Sequence, residues 1–143
     1  MTTGELIRKY RKVRGLTQAQ LAAECGLTDA AIRNYELGNR TPSKAHVEKI
    51  AEALEMAPEA FMGVSVASGR EALEYLFRID EEFGLRPRLG EGGGISLTLD
   101  PSNKKAPKMH AALQAWLRQL ESLESGEISE AEYDLWKAGG ITR

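Results

Sequence analysis

The chain has 143 residues, 42% hydrophobic and 28% charged, with a formal net charge of −2. That length holds one respectable core or two small ones, and no apolar run approaches the ~18 residues needed to cross a bilayer. A single cysteine, Cys25, excludes an intramolecular disulfide, and the Met1-Thr2-Thr3-Gly4-Glu5 start has no charged-then-apolar signal pattern. A reduced, cytoplasmic protein that avoids membranes is expected. Charge is unevenly placed. Residues 1–63 hold nine Lys/Arg against eight Asp/Glu, whereas residues 64–143 hold ten against thirteen. Arg8, Lys9, Arg11, Lys12 and Arg14 crowd the first helix beside Glu5 alone, which permits nucleic-acid binding but equally describes a solvated face.

Five helical segments are predicted in residues 1–63. Leu6, Tyr10 and Val13 recur with helical period, and Gly15 ends the first segment. Thr17-Gln18-Ala19-Gln20 is a capping box that opens the second, which stops at Gly26. The third runs from its N-cap Thr28 to about Leu37, with Gly38 as the left-handed stop. Pro42-Ser43 introduces a fourth with the stripe Val47, Ile50, Ala51 and Leu54. A short fifth, Pro58 to Met62, tucks Phe61 beneath the others. Residues 64–68, small and uncharged, form a linker.

Residues 69–143 are expected to be a separate small α+β domain: helix, β-hairpin, two helices. Leu73, Leu76, Phe77 and Phe83 mark a helix ending at Gly84. Leu85–Leu89 and Ile95–Leu99 flank Glu91-Gly92-Gly93-Gly94 as a hairpin. The second strand alternates strictly, which predicts one buried face. Pro87 makes the first strand an edge. A long helix follows with the stripe Met109, Leu113, Trp116, Leu117 and Leu120, and the capping box at Ser129 opens a last helix with Tyr133 and Trp136.

The informative stretch is Gln18 to Tyr35. Ala22 is small where two helices would cross, and Gly26 sits at a turn where positive φ is cheap only for glycine. Leu21, Leu27, Ile32 and Tyr35 supply the apolar wedge of a helix-turn-helix. Leu16 to Ala22 and Ile32 to Ser43 together resemble the Cro/phage-repressor (xenobiotic-response-element type) regulators, over residues 4–62. The resemblance implies a mainly α, DNA-binding domain that controls transcription. It also implies that Arg11 and Glu36 pair as scaffold between the first and third helices.

Helical geometry picks out the DNA-facing residues separately. At about 100° per residue, Asp29, Ala30, Arg33, Asn34 and Leu37 share one arc of the third helix, opposite the apolar side. Arg33 suits guanine O6 and N7, Asn34 suits adenine, Asp29 suits cytosine N4 and Ala30 a thymine methyl. Thr28, at the front of the helix, is counted with the DNA-binding set although it falls on the arc of Ala31, Ile32 and Tyr35. The competing reading of Asp29 and Arg33 is an intrahelical i, i+4 ion pair. Gln18, at the first turn of the second helix, and Arg40, Ser43 and Lys44, around the start of the fourth, are candidate phosphate donors.

His46, His110 and Cys25 lack metal-ligand spacing, the glycine tip lacks a following Lys-Ser/Thr, and no acid/base or nucleophile constellation is visible. No cofactor, metal or catalysis is expected. The function expected is a sequence-specific transcriptional regulator, a repressor, acting on double-stranded DNA as a homodimer. Residues 69–143 would dimerise it or sense a small-molecule or protein effector. Trp116, Trp136 and Tyr133 would form a dimer seam or close the small domain's own core. The rival is an antitoxin-like or protein-interaction module with weak DNA binding, which the acidic start of the third helix favours.

Overall fold

The computed structural model describes residues 1–139, which divide into two compact units. In the first, α1 (Thr3–Val13), α2 (Gln18–Cys25), α3 (Asp29–Glu36) and α4 (Lys44–Ala53) each begin at a side-chain cap. Thr2 and Thr17 make complete capping boxes with Glu5 and Gln20, and Thr28 and Ser43 accept from the amides of Ala31 and His46 at 3.1 and 3.2 Å. These hydroxyls satisfy donors that the first helical turn leaves without partners. The turn between α2 and α3 is made at Gly26, φ 65° and ψ 31°, and closed by the Leu27 amide on the Ala22 carbonyl at 2.8 Å.

The expected fifth helix is a 3-10 turn, Pro58–Phe61. Four residues starting at a proline and followed by extended Met62 are too few for an α-helical ladder. Its purpose survives: Phe61 is buried and meets Tyr10 edge-on, with ring centroids 5.6 Å apart. Ile7, Leu21, Ile32, Tyr35, Ile50 and Leu54 complete this core.

Residues 62–67 carry no regular structure. The second unit, Val66–Glu124, holds α5 (Gly69–Phe83), the antiparallel pair β1 (Leu85–Leu89) and β2 (Ile95–Leu99), and α6 (Ala106–Glu124). Its corner is polar. Arg86 pairs with Asp80 and Asp100, Lys105 pairs with Glu82, and the Asp100 amide donates to the Gly84 carbonyl at 2.8 Å. The chain is mainly helical, with one two-stranded sheet among the described residues.

Two sequence expectations need correction. Alternation in β2 predicted a buried face, yet Ile95 is 73% and Leu97 48% exposed. Alternation fixes which residues share a side, not whether the chain supplies a cover. The second domain was also expected to run to residue 143. Instead α7 (Glu130–Lys137) belongs with the first unit, where Ala138 is buried and its carbonyl accepts from the Ala57 amide at 2.9 Å. Tyr133 and Trp136, stacked at 6.2 Å, therefore belong to the first unit, and Trp116 and Leu117 to the second. No helix among the described residues is long and apolar enough to cross a membrane.

Candidate nucleic-acid interface

The third helix sorts its residues as a wheel requires. Ile32 and Tyr35 are buried, while Asp29, Ala30, Arg33 and Leu37 are exposed and Asn34 is half-buried. Thr28 is exposed as well. No ion pair joins Asp29 to Arg33, so the guanidinium stays open to solvent.

What holds this helix is a charged network. Arg11 grips Glu36 in a fork, Nε to Oε1 at 2.5 Å and Nη2 to Oε2 at 2.9 Å, and its Nη1 donates to the Leu16 carbonyl at 2.7 Å. Gln18 Nε2 donates to Glu36 Oε2 at 2.8 Å. Three helices thus meet at one carboxylate, whose side chain is 3% exposed. Burial alone would raise the Glu36 carboxyl. The hydrogen bonds from Arg11 and Gln18, with the Arg11 charge, outweigh it and hold the group below its ordinary value. Arg11 moves the other way, raised by its hydrogen bond to Glu36.

Three further features position α3, and a fourth ties the end of α1 to the end of α4. Tyr35 Oη lies 2.6 Å from His46 Nδ1, tying α3 to α4. The Arg40 amide donates to the Asn34 carbonyl at 3.2 Å, folding the turn back over the end of α3. Gly4 lets α1 approach so closely that a Cβ there would lie 2.0 Å from the Tyr35 carbonyl oxygen. Arg14 Nε donates to the Leu54 carbonyl at 2.9 Å. Of the five basic residues on or capping α1, three are therefore engaged within this unit: Lys9 with Asp134 at 3.0 Å, Arg11 and Arg14.

Lys44 and Arg40 are exposed, and Ser43 caps α4 between them. Gln18 is different: its amide nitrogen is already held by Glu36, so the donors left at the front of α2 are its first-turn backbone amides. Sequence reasoning missed Gly4, His46 and Gln18 as supports. Only the α1 glycine left a trace, as a poor helix former without an evident cause.

Residues 7–61 match the helix-turn-helix family. A helix-turn-helix-type transcriptional regulator of Methanothermobacter thermautotrophicus is 38% identical over 77 residues, 54% of this chain and 91% of that protein. The chain belongs to the helix-turn-helix transcriptional regulators. This regulator binds DNA, and its resemblance to the phage repressors stands. The immunity repressor of Bacillus phage phi105 is 27% identical over 129 residues, 86% of this chain and 90% of its own length. Among solved structures, the P22 c2 repressor in complex with a synthetic operator aligns with 43% of the chain and 94% of its own, at 27% identity and a TM-score of 0.42.

Proposed function

We propose that the protein is a repressor that reads double-stranded operator DNA with the outer face of α3. One observation carries the reading: Asp29, Ala30 and Arg33 stand exposed on a helix whose other side is anchored by Ile32, Tyr35 and the buried Arg11–Glu36–Gln18 network. A side chain reads a base edge well only when its helix cannot roll. Arg33 and Asn34 are the readers, Asp29 and Ala30 set preference at the leading bases, and Thr28 lies at the edge of the contact. Arg40, Ser43 and Lys44 face phosphates from the start of α4, and Gln18 aims the amides of α2 at the other side. On this reading the protein works in the cytoplasm and performs no catalysis. Repression is supported by the likeness to the phi105 immunity repressor.

Selection of bound sequences from random DNA, repeated with variants, tests it. Arg33→Ala and Asn34→Ala each weaken the preferred site by about 1–3 kcal/mol and relax one base position. Lys44→Ala leaves the selected sequence unchanged and makes the salt dependence shallower by roughly one phosphate equivalent. If both α3 variants select the same sequence with wild-type affinity, α3 is not the reader and a protein-interaction role replaces this one.

A further inference from the structure

Of the five basic residues on or capping α1, Arg8 and Lys12 are exposed and join no ion pair among the described residues. Their positions differ. Gly4, Arg8 and Arg11 stand at i, i+4 and i+7, which is one stripe of a helix. Both ends of that stripe meet the end of α3. A Cβ on Gly4 would lie 2.0 Å from the Tyr35 carbonyl oxygen, and Arg11 Nη2 donates to Glu36 Oε2 at 2.9 Å. Arg8 stands between them and so flanks the last turn of α3, whereas Lys12 turns about 40° further away. The charge of Arg8 also reaches Glu36, where it helps to keep the carboxyl ionised. Arg11 already neutralises that carboxylate, so Arg8, Arg11 and Glu36 together keep one surplus positive charge.

The same stripe runs between the two groups of candidate phosphate donors. At its start, Thr2, Thr3 and Gly4 line a cleft with Gly38, Arg40 and Thr41. At its end, Arg11 shares the Glu36 carboxylate with Gln18, the first residue of α2. An open guanidinium thus lies between the Arg40 side and the Gln18 side of α3.

We propose that Arg8 is a further DNA contact, gripping a backbone phosphate beside the end of α3, between the phosphates met from α2 and from Arg40. This rests on the reading of α3 as the base-reading helix and extends the interface to α1. Arginine suits the role, because its planar fork meets two phosphate oxygens at once. The contact positions the domain and carries no base preference, since the backbone is the same at every step.

Salt-dependent binding of the full chain to the duplex it selects from random DNA tests this, with Arg8→Gln and Arg8→Lys as the variants. Arg8 is exposed, so neither change disturbs the fold, which the melting temperature without DNA checks. Lys49→Gln is the control. Lys49 is equally exposed on α4, and its charge reaches Cys25, at the opposite end of α2 from Gln18. Arg8→Gln should make the log–log salt slope shallower by about 0.9, which is about eightfold in affinity at 0.1 M salt. The selected sequence should not change. Arg8→Lys and Lys49→Gln should both keep the wild-type slope. An unchanged slope in Arg8→Gln overturns the proposal, as does an equal loss in Lys49→Gln, since the effect would then belong to net charge. Weaker binding at the wild-type slope with a lowered melting temperature overturns it too, because Arg8 would then only support Glu36. The two readings fail separately. If α3 is not the reader, Arg33→Ala and Asn34→Ala keep the selected sequence; if Arg8 meets no phosphate, they lose it while Arg8→Gln keeps its slope.

Discussion

At the scale of single residues, Glu36 joins three helices of the first unit. Its carboxylate is buried and accepts from two residues on two other helices, so removing it leaves the Arg11 charge stranded. Breaking one side of such a pair costs about 3–5 kcal/mol. Glu36→Ala should lower the melting temperature of the full chain sharply with or without DNA, and a change of a degree or two would mean that solvent screens the pair. The pair also sets an acid limit. Because the folded carboxyl lies below its ordinary value, its contribution is complete above the unfolded carboxyl's ~4.3 and fades as pH falls through the depressed folded value. Glu36→Gln should remove that part of the acid dependence, read as a flatter plot of melting temperature against pH below about 4.5. Gly4 makes an opposite test of intuition. Helix propensity favours alanine there by about 1 kcal/mol, but the new Cβ would sit 2.0 Å from a backbone oxygen. The clash wins, since α1 or α3 must shift, and Gly4→Ala should destabilise by about 1–3 kcal/mol. Gly69→Ala, with open space at the same kind of helix start, should not.

At the scale of elements, what was legible in the sequence was whatever local chemistry dictates. Thr17 with Gln20 and Ser129 with Glu132 announced helix starts, and Gly26 and Gly84 announced left-handed ends, because each is satisfied within a few residues. The outward arc of α3 was legible too, since its period and apolar positions fix which side is buried. The burial of β2 was not. Period 2 ranks the two faces of a strand, but the cover depends on surface supplied from elsewhere. The bonding state of Gln18 was equally hidden. A glutamine at the first turn of α2 has the same local surroundings whether it points to a phosphate or to Glu36, and only the packing of α3 beside α2 settles its amide on the carboxylate. The basic run on α1 looked like one electrostatic feature, yet Lys9, Arg11 and Arg14 reach three different partners. Charge runs describe composition, and pairing is a property of the tertiary fold.

At the scale of the whole molecule, the first unit is not contiguous in sequence. The chain leaves the helix-turn-helix unit near residue 65, builds the α5–hairpin–α6 unit, and returns from Ser125 to place α7 on the first unit. Contiguity suggested otherwise, because nothing local in Tyr133, Leu135 or Trp136 names the surface they meet. The docking is specific. Asp134 bridges Lys9 at 3.0 Å and Lys137 at 2.7 Å, Leu135 packs on the core, and Ala138 is 1% exposed beside Ala57. Removing this cover should loosen the first unit. Ala138→Arg keeps the chain length and both connections, so its effect isolates the docking. Burial of Leu135 and Ala138 suggests a loss of about 2 kcal/mol. Cys25 supplies a local readout: burial first, then the Glu24 charge, pushes its thiol up to about 11, with Lys49 pulling the other way, so it reacts only when the first unit opens. A 2 kcal/mol loss should make Cys25 label about thirty-fold faster in Ala138→Arg under native conditions. An unchanged labelling rate would mean that α7 rests on the helix-turn-helix unit without stabilising it, and the first unit would then end near residue 65.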